Sequence, residues 1–181
     1  MTPPWTPLPP ELTDPRPLAD AVLKVHQDIH ERHFRQDPVA NDALGLQIRA
    51  CRRVDQWQAL LLLTPWMLSR LWFPDEPPDI DIPPEWHADA RGDDYQLLGP
   101  AVEFDVLGQR QQAHLNYHPA LGHYLLQPLA LNMRPYHSTE EAFEAWNHVI
   151  RVRDENMRKA ARDCPLQKEI SRREFFRRFR G

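Results

Sequence analysis

The stretch Trp57-Gln58-Ala59-Leu60-Leu61-Leu62-Leu63-Thr64 is apolar almost throughout and reads as a central β-strand. Thr64-Pro65-Trp66-Met67 interrupts it, and Leu68 to Phe73 reads as another short strand. On the N-terminal side the period is two. From Leu44, the residues Leu46, Ile48 and Ala50 alternate with Gln47 and Arg49, as a half-buried strand requires. On the C-terminal side two further strands are expected, Tyr95 to Val106 and Gln109 to Tyr117, joined at Leu107-Gly108, followed by an extended piece from His123 to Leu131.

Helices flank this block. Asp14-Pro15 is a cap followed by proline at the first helical position, and Leu18, Val22, Val25 and Ile29 form an apolar stripe that should end near Arg35. Ser138-Thr139-Glu140-Glu141 is a capping box. It opens a helix with Phe143, Trp146, Val149 and Ile150 on one face, running to about Lys159. Strands in one block with a helix on either side predict an α+β fold: an antiparallel sheet packed with an N-terminal and a C-terminal helix. The first 17 residues contain seven prolines and read as a flexible proline-rich arm. The expected division is therefore an arm at 1–17, a single α+β domain at 18–160 and a basic tail at 161–181.

A length of 181 residues suits one domain with a substantial core. No apolar run approaches the ~20 residues that span a bilayer, and no secretory signal is legible after Met1, so a soluble cytoplasmic protein without stable membrane insertion is expected. Cys51 and Cys164 stand far apart with no paired-cysteine motif, which points away from a disulfide framework and from zinc. The net charge of −4 is polar along the chain. Residues 151–181 carry 11 Lys/Arg against 5 Asp/Glu, while residues 1–150 carry 21 Asp/Glu against 11 Lys/Arg. An acidic body repels phosphate, so nucleic acid is not an expected partner.

No catalytic motif is present: no Gly-rich phosphate loop, GxSxG or HExxH. No catalytic, cofactor or metal residues are therefore assigned. The histidines are the best alternative. His114 and His118 share a strand face, but about 13 Å apart if the strand is extended, too far to chelate one ion. His26, His30 and His33 on the first helix read as ordinary polar or half-buried residues.

Two segments suggest binding. Trp66 and Met67 follow a proline that breaks a buried strand, so Thr64, Pro65, Trp66, Met67, Leu68, Trp72 and Phe73 are candidates for a soft apolar client surface, against the simpler reading of core packing. Residues 74–94 form a proline-punctuated loop rich in carboxylates, among them Asp75, Glu76, Asp79 and Asp81. Near the C-terminus, Ser171-Arg172-Arg173-Glu174-Phe175-Phe176-Arg177 resembles the twin-arginine export consensus, although only four residues follow it. The acidic loop is its natural electrostatic partner, whether for this tail or for a genuine signal on another protein.

Leu63-Thr64-Pro65-Trp66-Met67-Leu68-Ser69 followed by Phe73-Pro74, the block Tyr124-Leu125-Leu126-Gln127-Pro128-Leu129 running into Ser138-Thr139-Glu140-Glu141, and the C-terminal Arg172-Arg173 together resemble the HybE-type [NiFe]-hydrogenase assembly chaperones. The resemblance covers about residues 18–181. It implies a non-enzymatic accessory protein that binds large- and small-subunit precursors and other maturation proteins in the cytoplasm before twin-arginine export. Relatives fused to a rubredoxin hold iron through paired cysteines, which this chain lacks, so no cofactor is carried over. Two other expectations stand beside this one: an adaptor docking to the twin-arginine translocation machinery, and a histidine-based nickel-binding protein.

Overall fold

The computed structural model describes residues 4–92 and 95–162. Six strands form one antiparallel sheet: β1 (Gln47–Val54), β2 (Trp57–Thr64), β3 (Met67–Pro74), β4 (Ala101–Val106), β5 (Gln109–His118) and β6 (Gly122–Ala130), in the order β1-β2-β3-β6-β5-β4. Helix α1 (Pro15–Ile29) precedes the sheet and α2 (Thr139–Arg162) follows it. This is the α+β architecture expected from the sequence.

The apolar run at 57–64 is a central strand because both of its faces are covered. Leu60 and Leu62 point to the α1 side, where they meet Leu71, Phe73 and Leu126 and the helix stripe Leu18, Val22, Val25 and Ile29. Trp57, Leu61 and Leu63 point to the other side, into clusters with Trp72, Phe104 and Leu125 and with Leu68, Met133 and Phe143. Each fully buried side chain of this size contributes about 1.5–3 kcal/mol. Thr64 pairs with Met67, so Pro65-Trp66 is a two-residue hairpin loop, and the Thr64 hydroxyl accepts the Met67 N–H at 3.0 Å.

Several boundaries move. β1 continues past Ala50 to Val54 through a bulge, where Arg49 faces Leu61 but Arg52 faces Ala59 and Ala50 takes φ 52°. The inserted residue shifts the alternation by one, so a period-two reading stops where the strand does not. Conversely, β4 starts only at Ala101. Pro100 cannot donate to a ladder, and at Gly99 a Cβ would stand 1.8 Å from the Leu115 carbonyl oxygen. Pro128 is tolerated inside β6 because the β3–β6 register shifts beside it. At the start of α1, Asp14 is extended and its side chain makes no cap bond; only its carbonyl receives Leu18 N–H, at 3.1 Å. Before α2, Ser138 Oγ accepts Glu141 N–H at 3.1 Å, and Glu141 reaches back to His137 N–H rather than to the cap residue's own.

The proline-rich arm does not project from the domain. Trp5 is 3% exposed and joins Trp57, Trp72 and Trp86 in the core. His123 N–H donates to Thr6 O at 2.8 Å, and Thr6 N–H donates to His123 Nδ1 at 2.7 Å. At Gly122, with φ 71°, an added Cβ would lie 2.5 Å from Pro7 O, so only glycine lets the arm pass. An apolar anchor and two hydrogen bonds to His123, one to its backbone and one to its imidazole, hold the arm against the domain that proline count alone would have it leave.

Candidate functional site

The side chains expected to form an apolar client surface are interior. Thr64, Pro65, Trp66, Met67, Leu68, Trp72 and Phe73 are all buried. The correction has a simple cause: β3 lies between β2 and β6 and is covered on both faces, so successive residues bury in opposite directions. Trp66 stacks on Phe34 at 4.1 Å and on His30 at 5.9 Å, both on the π-helical turn His30–Phe34 that continues from α1. Trp72 meets Trp57 and Phe104 edge-on on the opposite face, and Phe73 stacks on Tyr124 at 5.4 Å.

The acidic segment is a surface, and it is fixed. Ile82 and Trp86 are buried and Ile80 is partly buried against the same cluster, so the loop is anchored from within. Between and beside these anchors Asp75, Glu76, Asp79, Asp81, Glu85 and Asp89 are exposed. Asp75 forms a two-pronged pair with Arg53, one arm at 2.8 Å. The Trp86 carbonyl lies 2.8 Å from His123 Nε2, and the Arg91 guanidinium covers the Trp86 ring at 4.2 Å. Because His123 Nδ1 accepts from Thr6, its Nε2 carries the proton and donates to Trp86, so one neutral imidazole fastens both the arm and the acidic loop to β6.

A second feature escaped the sequence reading. Between α2 and the β1–β3 end of the sheet runs a groove of ≈ 610 Å³, lined from the sheet by Arg49, Arg52, Leu61 and Arg70. The helix contributes Phe143, Asn147, Ile150, Asp154 and Arg158, spaced to share one face. Arg70 is 4% exposed, and its guanidinium lies 3.1 Å from Asp154, which also pairs with Arg52. Burial pulls the Arg70 pKa down, and the Asp154 carboxylate opposes that shift. The signal was present as a lone charge inside Leu68-Ser69-Arg70-Leu71-Trp72, since buried arginine implies a counter-ion somewhere.

The histidines are engaged separately. His114 Nδ1 lies 2.8 Å from Gly99 O, and His118 Nδ1 accepts Ala120 N–H at 3.1 Å. His26 donates to Val22 O at 2.8 Å from full burial. Among the described residues no group of three or more His, Cys, Asp or Glu side chains is placed to hold a metal ion. Burial lowers the pKa of His26 to about 4 and also lowers those of His118 and His123. The unfolded chain therefore takes up these protons first, and stability should fall as pH drops from about 6.5 towards 4. His26 alone accounts for roughly 3 kcal/mol of that loss. Urea midpoints measured at pH 7.5 and pH 4.5 check this; His26→Gln should flatten the difference.

The twin-arginine-like residues Ser171, Arg172, Arg173, Phe175 and Phe176 lie outside the described residues. No helix among the described residues is long and apolar enough to cross a membrane. Neither a curated protein nor a solved structure matches the chain. The family model described as "[NiFe]-hydrogenase assembly, chaperone, HybE" matches residues 17–178, from just before the α1 stripe to beyond the end of α2. That match spans the whole sheet, α2 and all but the first two residues of α1, and the chain belongs to the HybE family of [NiFe]-hydrogenase assembly chaperones.

Proposed function

We propose that this chain is a non-enzymatic cytoplasmic chaperone that binds precursor subunits of a [NiFe]-hydrogenase during maturation, subunit assembly and pre-export quality control. The observation that carries the reading is the acidic loop. Its carboxylates project from a segment fastened by Ile82, Trp86 and His123, so they form a standing surface whose ordering entropy is already spent before a client arrives. A basic client segment such as a twin-arginine signal is complementary to it in charge, which favours fast and selective encounter. Asp79, Asp81 and Glu85 are the contact residues, with Asp75 and Glu76 at the margin. Of the buried string only Trp72 shares the cluster that anchors this loop, while Trp66, Met67 and Phe73 pack on the other face of the sheet, and none of them touches the client. The chain's own tail, with Ser171, Arg172, Arg173, Phe175 and Phe176, competes for the same carboxylates at high effective concentration.

Affinity purification of the tagged chain from cells expressing a complete hydrogenase operon tests the assignment. Large- or small-subunit precursors, still bearing their uncleaved segments, should be recovered. Recovery of no hydrogenase subunit from cells that make the precursors would contradict it.

A further inference from the structure

We infer that the groove between α2 and the β1–β3 end of the sheet binds an acidic segment of a polypeptide. Five arginines line it: Arg49, Arg52, Arg70, Arg151 and Arg158. Against them stand three carboxylates, Glu144, Asp154 and Glu155, which leaves an excess of positive charge in an otherwise acidic protein. Arg52 and Arg70 are both held by Asp154, so one carboxylate serves two guanidiniums. Arg49, Arg151 and Arg158 are exposed along the groove and accessible to a ligand. A carboxylate entering the groove would meet these guanidiniums with the planar, two-pronged geometry they favour.

The lining also has an apolar component that a small anion would not use. Leu61 forms part of the sheet side, and Phe143 and Ile150 face it from the helix. Arg49 stacks over the Phe143 ring at 4.1 Å, holding a cation at the groove edge beside an apolar surface. Carboxylates interleaved with apolar side chains, as in an acidic peptide, match both components at once. The occupant is therefore a client segment of that composition, opposite in charge to the segment assigned to the acidic loop. The inference rests on the chain being a polypeptide-binding chaperone, but on a different surface.

Fluorescence anisotropy with a labelled ten-residue peptide of alternating Glu and Leu tests it on the full chain. The probe should bind, weaken severalfold between 50 and 300 mM salt, and lose at least tenfold in affinity when every Glu is replaced by Gln. Arg151→Glu with Arg158→Glu, both exposed on α2, should cost at least tenfold without lowering the unfolding midpoint appreciably. Equal binding of the Gln peptide, or unchanged binding by that variant, would overturn the site. So would a concentration-dependent dimer that the variant dissociates while the peptide fails to bind, since the groove would then serve a second copy. Failure of peptide binding with precursor capture intact sinks the groove alone; loss of capture with peptide binding intact sinks the loop assignment alone.

Discussion

Trp66→Ala is expected to lower the free energy of unfolding by about 3–5 kcal/mol, a large share of the 5–15 kcal/mol typical of a domain. Trp66 is 1% exposed and lies parallel to Phe34, with ring centroids 4.1 Å apart, with His30 stacked nearby. Its removal leaves a cavity between the β2–β3 hairpin and the end of α1 that a rigid two-residue turn cannot close. Urea unfolding of the two proteins measures the cost. A midpoint lowered with an unchanged slope is the predicted result, because the slope reports the surface exposed on unfolding. A change below about 1 kcal/mol would mean that Trp66 is not the keystone of this interface. Where the predicted destabilisation is found, loss of client capture by this variant is read as lost folding, since the Trp66 side chain does not reach the surface.

Asp154→Ala should be nearly as costly, about 3–5 kcal/mol, because it leaves Arg70 buried without a counter-ion. The second variant separates charge from packing. Arg70→Met combined with Asp154→Leu removes both charges and keeps most of the volume, and should recover the greater part of the loss. Thermal or urea unfolding of wild type, single and double variants closes the cycle. A double variant as unstable as Asp154→Ala would contradict the account of Arg70 as a buried charge held by this carboxylate.

Much of the fold was legible because local pattern and environment agree. The run 57–64, the α1 stripe from Leu18 to Ile29 and the Ser138 start of α2 are all dictated by nearest neighbours in sequence and hold in the structure. What failed depended on distant partners. The bulge at Ala50 and Cys51 is visible only against β2, and the arm appears extended until His123 and Gly122 are seen to receive it. The candidate surface failed for the same reason. The sequence places Trp66 next to a break, but only the order of strands shows that both sides of that break are covered. The acidic loop was recognisable from composition, whereas its anchoring comes from Ile82 and Trp86 finding a core built from strands β2 to β6. Arg70 and Asp154 are 84 positions apart, and nothing local pairs them.

The central claim is that the fixed carboxylates at 76–89 receive a basic client segment. Its most direct test compares capture of a hydrogenase precursor by the wild-type chain and by Asp79→Lys/Asp81→Lys/Glu85→Lys at physiological salt, with circular dichroism confirming that both are folded. These side chains are exposed, so stability should change little. At least a tenfold loss of captured precursor is predicted for the folded variant. Equal capture by the two proteins would contradict the account.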